Sequence, residues 1–511
     1  MHSDFILGTA LAAAAIAYAS KPRKPKTELE ARSVPVPVVP TYLPLQLDGV
    51  LHNISATLNG NEMEFLRSLT TRFGNTVNLR MFNMNTIIVL DPSSVQHILA
   101  KNQPNYEKGP EFQASFHDLL GSGIFNADGE TWKSQRQLAS HLHDIRIAVE
   151  LTPFTLTFLR PHFQTSEFKD AALINRNVDR LIHAIDKQIA ANQGKPLQMQ
   201  NLFCRFTLDE ATEFLFGETV HALEREDSEF AVSFDYAQAI TAWRVRVPFG
   251  RFVIPKKRLL REVGNLDAFV YKIIDNAIAR QKAREEEREK NPNSEKDEGG
   301  KERHATLLDH FLAEQQEHNL SKKYLRDMLL NFLLAGRDTT ASLLSWTMWH
   351  LSHHPDVVKK LKSEVMDVVG PTAVPEYDDI KKLKQCVEED VLPNGYYIPP
   401  GSQVIYSAYS THRLPELWGE DALEFNPDRW GPERVGSIKP FMFVPFHAGP
   451  RICLGQNLAY ATAQLTLTRL LQHYEIKASP GFQPQPVSDN ILFSKNGVEV
   501  FLERKGLAQA L

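Results

Sequence analysis

The sequence predicts an α+β protein that is mainly α with a small β lobe. Three observations support this fold class: helical patterns, hairpin patterns and the overall composition. Residues 321–353, 356–369 and 458–473 have the proline-free, apolar spacing of helices. Residues 75–91 and 391–407 combine strand-forming residues with tight-turn residues, as β-hairpins do. With 42% hydrophobic and 23% charged residues, the 511-residue chain has the composition of a globular protein with a sizeable core.

Residues 1–20 are predicted to be a transmembrane anchor. The run from Phe5 to Ser20 is apolar or small, although a span needs about 17–25 residues. By the positive-inside rule, the basic residues that follow place this flank on the cytosolic side of the membrane. A cleaved signal peptide is the alternative, but residues 1–4 lack the positive charge that such a peptide carries. Residues 21–45, basic and rich in proline, are predicted to form a stiff hinge.

Charge and cysteine content restrict the classes of function. A net charge of -5 gives no reason to expect nucleic-acid binding. The three cysteines, Cys204, Cys386 and Cys453, form neither a disulfide framework nor a zinc-binding spacing. We therefore expect the main part of the chain to face a reducing compartment.

Residues 446–455, F-H-A-G-P-R-I-C-L-G, predict a loop that presents the Cys453 sulfur to a haem iron. Gly449 and Gly455 allow a tight turn, and backbone N–H groups of such a loop stabilise a thiolate. Arg451 can pair with a haem propionate. A thiolate ligand favours cleavage of the O–O bond. The alternative is a buried structural cysteine in a glycine-containing loop.

A second motif, A-G-R-D-T-T at residues 335–340, lies inside the predicted helix 321–353. Glycine costs about 1 kcal/mol relative to alanine in a helix, so stability alone does not explain it. We expect a local widening at Gly336 that makes room for dioxygen. Thr339 then supplies a hydroxyl to the oxygen, and Asp338 relays protons. The alternative is a kinked core helix whose hydroxyls bond to its own carbonyls.

Trp132 and Arg136 form a third pattern, W-x-x-x-R. Their i, i+4 spacing puts both side chains on one helix face. An indole N–H and a guanidinium on that face can both reach propionate oxygens.

These motifs, with residues 123–129 and 425–430, resemble those of the cytochrome P450 family, in particular its microsomal members and the fungal alkane and fatty-acid hydroxylases. The resemblance implies that residues 46–511 form one haem-thiolate catalytic domain, mainly helical with a small β lobe. It implies heme b (iron-protoporphyrin IX) as cofactor, with Cys453 as the metal ligand. Arg451, Trp132 and Arg136 would bind the cofactor, and Thr339 and Asp338 would be catalytic.

The resemblance also implies a function. The expected reaction inserts one oxygen atom from O2 into an apolar substrate, such as an alkane or a fatty acid. An NADPH-dependent flavoprotein reductase would supply electrons, since the sequence has no G-x-G-x-x-G. The expected location is the endoplasmic reticulum membrane, single-pass, with a cytosolic catalytic domain. Alternatives are a non-oxygenating haem-thiolate isomerase or dehydratase, and a haem-deficient, inactive protein.

One expected element is missing. The family carries E-x-x-R on a helix before the cysteine loop, yet from Asp338 to Asp428 no Glu precedes an Arg by three residues. Residues 380–386 resemble the start of that helix, and residues 387–395 resemble the hairpin after it. A block is therefore expected to be absent at 386/387, through a mis-spliced or incomplete sequence or in a real variant. In the family, the arginine that Arg429 matches joins this Glu–Arg pair in a buried charge network, and removal of such partners costs about 3–5 kcal/mol.

Overall fold

The structure is a computed structural model that describes residues 27–82, 84–142, 168–192, 194–225, 228–246, 250–290, 306–318, 320–368, 383–386, 388–488 and 491–505. The helices are α1 (Glu28–Arg32), α2 (Leu47–Asn59), α3 (Glu62–Phe73), α4 (Pro92–Gln96), α5 (Pro110–Leu120), α6 (Gly129–Leu142), α7 (Phe168–Asn192), α8 (Met199–Phe216), α9 (Glu229–Arg246), α10 (Gly250–Val253), α11 (Lys257–Lys290), α12 (Leu307–His318), α13 (Lys322–His353), α14 (Pro355–Val368), α15 (Ala408–Thr411), α16 (Pro415–Trp418), α17 (Pro432–Val435) and α18 (Gln456–His473).

The strands are short. They are β1 (Val34–Pro35), β2 (Thr76–Asn78), β3 (Thr86–Val89), β4 (Tyr106–Glu107), β5 (Leu197–Gln198), β6 (Leu383–Cys386), β7 (Asp390–Val391), β8 (Tyr396–Ile398), β9 (Gln403–Tyr406), β10 (Tyr474–Ala478), β11 (Pro486–Ser488), β12 (Leu492–Ser494) and β13 (Glu499–Arg504).

The described residues form two compact units, and the first holds most of the β structure. It comprises the described residues up to Glu107 together with those from 383 to 411. Its five-stranded sheet has the order β2-β3-β9-β6-β4, and a three-stranded sheet has the order β1-β8-β7. All four residues of β3 are buried, which explains why its sequence lacks the alternation of a half-exposed strand.

The predicted hairpins are confirmed in this unit. Strands β2 and β3 pair antiparallel, with Val77 opposite Ile88. Strands β7 and β8 also pair antiparallel, and Gly395 in the turn between them has φ +86°. Glycine adopts this conformation without the steric cost that a side chain brings.

The second unit comprises the described residues from 108 to 368 and from 412 onward. It is mainly helical, with small sheets β10-β13-β5 and β11-β12. Helix α13 contacts α5, α8, α11, α12, α14 and α18. Ser321 caps its N-terminus by accepting a hydrogen bond from the Tyr324 N–H at 3.1 Å.

The three predicted helices are confirmed within one to two residues as α13, α14 and α18, and Pro355 occupies the first position of α14. The predicted anchor at residues 1–20 lies outside the described residues, as does the first part of the hinge. Across the ranges that the structure does describe, no helix has the length and apolar character of a membrane span.

The segment before residue 387 differs from expectation. Residues 380–386 were expected to begin a helix, but Leu383–Cys386 form β6, which pairs antiparallel with both β9 and β4. These four residues therefore complete the five-stranded sheet. Backbone pairing on both sides of the segment favours a strand over the helix that its sequence resembles.

Candidate active site

The cysteine loop is closed by backbone hydrogen bonds. The Cys453 N–H donates to the Phe446 carbonyl at 2.9 Å, and Gly449–Arg451 form a short 3-10 helix within the loop. Gly449 has φ +67°, so its role in the turn is as predicted. Gly455 has φ -83°, and a Cβ there would meet no protein atom within 4 Å. Neither the backbone nor protein packing requires glycine at 455.

Cys453 lies in an electropositive setting. This residue is partly exposed and lies two residues before Gly455, the N-cap of α18. The N-terminus of a helix carries partial positive charge, which stabilises a thiolate. The Arg136 guanidinium donates from Nη1 to the Ile452 carbonyl at 2.5 Å. Burial lowers the pKa of Arg136, and the nearby charge of Cys453 opposes that shift.

Arg451 is held by protein groups on several sides. Its Nη2 donates to Asp128 Oδ1 at 2.7 Å, and its Nη1 donates to the Ala127 carbonyl at 3.2 Å. The guanidinium carbon also lies 4.1 Å from the centre of the Trp132 ring. Trp132 and Arg136 thus contact adjacent residues of the cysteine loop from one face of α6, as their spacing predicts.

Asp128 was not identified from the sequence. Its Oδ2 accepts from the backbone N–H groups of Lys108 (2.9 Å) and Gly109 (3.2 Å) and from Gln113 Nε2 (3.0 Å). Asp128 therefore joins the start of α5, the start of α6 and the cysteine loop. The sequence offers two signals: Asp128 belongs to the segment 123–129 that resembles the family, and it is an acidic residue directly before a predicted helix, which is common at N-caps.

The loop between α5 and α6 is fixed to α13 by two polar side chains. Asp327 Oδ2 accepts from the Ser122 N–H at 3.0 Å, and Asn331 Oδ1 accepts from the Phe125 N–H at 2.9 Å. A Cβ at Gly123 would lie 2.1 Å from Asn331 Nδ2, and one at Gly121 would lie 2.2 Å from the Asp327 carboxylate. The two glycines are therefore required for this close approach.

The 335–340 motif is α-helical at all six residues, and the predicted local widening at Gly336 is not seen there. A Cβ at Gly336 would lie 3.7 Å from the Cβ of Ala211, so this glycine faces the contact between α13 and α8. The Thr339 hydroxyl donates to the Ala335 carbonyl at 2.7 Å. This bond is the back-bonding that the alternative interpretation of the motif expected.

Asp338 is fully buried and belongs to a polar network. Gln238 Nε2 donates to its Oδ2, and Arg337 Nη1 lies 3.2 Å from its Oδ1. The same Arg337 nitrogen lies 2.6 Å from Asp235, whose side chain is 59% exposed. Coulombic attraction from Asp235 and Asp338 outweighs burial and raises the pKa of Arg337. The network therefore leads from the surface to Asp338.

Comparison with known proteins decides the family. The family described as Cytochrome P450 matches residues 40–386 and 382–502. The chain belongs to the cytochrome P450 family. It is 31% identical to the cytochrome P450 monooxygenase himC of Aspergillus japonicus, across 89% of this chain and 81% of the relative. It is also 31% identical to cytochrome P450 52A3-B of Candida maltosa (77% and 76%) and 28% identical to cytochrome P450 86B1 of Arabidopsis thaliana (90% and 85%).

Cytochromes P450 are haem enzymes, and the cysteine loop of this P450 fits that group. The partly exposed residue Cys453 lies beside Ile452, an apolar residue that is 40% exposed. Two guanidinium groups, Arg136 and Arg451, flank this pair and suit carboxylates. The open space beside Gly455 allows a flat group to approach the loop closely. Cys453, Arg451, Trp132 and Arg136 are thus brought together. The described contacts of Asp338 and Thr339 are with other residues.

Arg429 of this P450 keeps hydrogen-bond partners without an E-x-x-R segment. It is buried and donates to the Trp418, Asp421 and Glu424 carbonyls and to Asp421 Oδ1, at 2.6–3.3 Å. Hydrogen bonds from Arg434 hold the pKa of Asp421 well below its usual range. Arg429 therefore has protein partners other than the Glu–Arg pair of the E-x-x-R segment. The two segments of this chain that match the family overlap at residues 382–386, beside the predicted gap.

The Arg429 cluster lies next to the chain that leads into the cysteine loop. Trp418 contacts Phe443 edge-on, with ring centres 6.2 Å apart, and His412 Nε2 accepts from the Val444 N–H at 3.3 Å. Phe443 and Val444 immediately precede residues 446–455. Arg429 thus supports the loop by holding the Trp418 backbone.

Proposed function

We propose that this chain is a haem-thiolate monooxygenase in which Cys453 is the ligand of heme b. The observation that carries the proposal is the convergence of one thiol, two guanidinium groups and an indole on a loop next to a helix N-terminus. When bound, the haem supplies the iron at which dioxygen is reduced and from which one oxygen atom is transferred. Arg136, Arg451 and Trp132 would orient the cofactor through its carboxylates.

Asp338 and Thr339 would be the catalytic pair of this P450. Asp338 is buried, so its protons must come through polar neighbours. The Arg337 guanidinium stays protonated and cannot itself pass on a proton, but its ion pairs with the exposed Asp235 and with Asp338 support a polar path from the surface beside these groups. Thr339 is the next residue on the helix, and its hydroxyl, oriented by the Ala335 carbonyl, can hold a proton at its oxygen.

The proposed substrate is apolar, with an alkane or a fatty acid as the specific class, and its support is the likeness of the motifs to those of fungal hydroxylases of such substrates. A separate NADPH-dependent flavoprotein reductase would supply the electrons. Residues 1–20 would anchor the enzyme to the endoplasmic reticulum membrane, with the catalytic domain in the cytosol. An apolar substrate could then reach the enzyme from the lipid phase.

The test is the difference spectrum of the reduced protein with carbon monoxide, recorded on the full chain in membranes. The expected band lies at about 450 nm, which indicates carbon monoxide opposite a thiolate. A band at about 420 nm, or no haem at all, would contradict the proposal and favour the haem-deficient alternative. Product formation that requires neither reductase nor dioxygen would favour an isomerase or dehydratase.

A further inference from the structure

We propose that Asp128 is a positioning residue of this P450, which fixes Arg451 and lowers the positive charge that Arg451 presents to the cofactor. The inference rests on the proposed function, because it concerns the site beside Cys453. It assigns a role to a carboxylate of the segment 123–129 for which the sequence alone predicts none. Three observations in the structure support it.

The first observation is the ion pair itself. Asp128 Oδ1 and Arg451 Nη2 are 2.7 Å apart, and only 7% and 3% of the two side chains are exposed. Ion pairs at this depth are little screened by salt, and removal of one partner leaves an uncompensated charge. The negative charge of Asp128 is therefore a permanent part of the environment of Arg451.

The second observation is that Asp128 itself is fixed. Its Oδ2 accepts two backbone N–H groups and the Gln113 amide, so that both carboxylate oxygens are engaged. The backbone carbonyl of Asp128 also accepts the Trp132 N–H at 3.3 Å, in the first turn of α6. A carboxylate held at both oxygens cannot easily rotate away from Arg451.

The third observation is the geometry around the guanidinium. Asp128 and the Ala127 carbonyl engage its nitrogens, and the Trp132 ring lies 4.1 Å from its central carbon. Residues 127–132 thus set the position of Arg451 relative to Cys453. Since α6 also carries Arg136, one short segment orients both guanidinium groups of the site.

Two consequences follow for a bound haem. An Arg451 that is already paired with Asp128 compensates a propionate less fully, so the cluster keeps one more negative charge. Loss of the Asp128 charge should therefore shift the reduction potential of the iron to a more positive value. Loss of the positioning should also weaken haem binding by about 10-fold or more, as is typical for outer partners of a metal site.

The experiment compares D128N with the wild type and with two further variants in the full chain. The readouts are haem per chain, the reduction potential and thermal unfolding. The matched control is D209N, because Asp209 is also a buried carboxylate that accepts two backbone N–H groups, those of Ala222 and Leu223. D209N should lower stability without a shift of the potential. D128N should bind haem more weakly and show the positive shift.

D128E separates charge from geometry and keeps the test decisive if D128N is poorly folded. It retains the charge, so its potential should stay close to that of the wild type while its haem affinity falls. A folded D128N with wild-type potential and haem affinity would overturn the inference. So would an equal shift of potential in D128E and D128N, or in D209N and D128N. A wild-type chain without haem would overturn the proposed function, and the inference with it.

Discussion

The cysteine loop and the 335–340 motif differ in how their polar side chains are held. In the loop, Arg451 pairs with a residue more than 300 positions earlier, and Arg136 reaches a carbonyl of the loop from α6. In the motif, Thr339 bonds to its own helix and Asp338 to the adjacent Arg337, with Gln238 as its more distant partner. The loop therefore depends on tertiary contacts, whereas much of the motif is organised as soon as α13 forms.

The largest effect is expected at the loop itself. C453S should abolish the band at about 450 nm, because a serine hydroxyl does not replace the thiolate as iron ligand. The fold should remain, since the bond from this residue to Phe446 is made by its backbone. Far-UV circular dichroism and the carbon monoxide spectrum measure both results.

C204S is the matched control for C453S. Burial raises the pKa of Cys204 to about 12, so this thiol stays protonated and is a poor ligand. C204S should therefore keep the full band. Loss of the band in C204S as well would mean that the assignment of Cys453 alone as ligand is wrong.

The motif should respond in rate and not in cofactor binding. D338N should lower product formation by about 100-fold or more, because the amide cannot relay a proton, while the haem spectrum stays unchanged. T339A removes only a back-bond to Ala335, so thermal unfolding should hardly change although product formed per electron falls. A D338N enzyme with wild-type turnover would contradict the expectation that the motif acts on rate while the cysteine loop acts on cofactor binding.

A third comparison concerns Arg429, whose hydrogen bonds lie next to the chain that leads into the cysteine loop. R429A should destabilise the protein by about 3–5 kcal/mol, since it removes a buried charge that binds three carbonyls and one carboxylate. R434A is the control, because Arg434 also binds Asp421 but its side chain is 42% exposed. Urea unfolding should give a clearly smaller change for R434A. Equal changes in the free energy of unfolding for R429A and R434A would show that the burial of Arg429 does not make its hydrogen bonds more stabilising.

A last comparison concerns the pH dependence of stability and a buried carboxyl group, Glu210, which joins the helix packed on α13 to the helix after the cysteine loop. Glu210 of α8 is buried and accepts from the Thr462 hydroxyl of α18 at 2.5 Å. Burial raises the pKa of Glu210 from 4.5 to about 8. The native state therefore holds this proton more tightly than the unfolded state, and stability should fall as the pH rises from 4.5 through 8, by at most about 1.4 kcal/mol per pH unit.

E210Q should remove this part of the pH dependence, because the amide is neutral at every pH. The difference in free energy of unfolding between E210Q and wild type should thus grow from pH 5 to pH 9. E218Q serves as control for the same substitution at an exposed position, since Glu218 is 46% exposed. Parallel profiles for wild type and E210Q would contradict the raised pKa.

Much of the fold could be predicted because its signals are local. Proline and serine at helix starts and glycine in turns mark boundaries within a few residues, as at Ser321, Pro355 and Gly395. The candidate residues of the site were also recognisable, since they belong to motifs with fixed spacing.

The partners of those residues could not be predicted. Asp128 meets Arg451 only after the chain has folded, and nothing in its neighbours marks it as the partner of an arginine 323 residues away. Gly123 is required because of Asn331, which lies on a distant helix. Residues 383–386 form a strand because two other strands flank them, which no local pattern reveals.

The position of β6 has a further consequence for association between chains. A slot left open between β9 and β4 would expose the N–H and C=O groups of Gln403–Tyr406 as an unpaired edge, and such edges recruit strands of other molecules. Because Leu383–Cys386 pair with both neighbours, that edge is closed. A chain with this arrangement is protected at β9 against edge-to-edge aggregation.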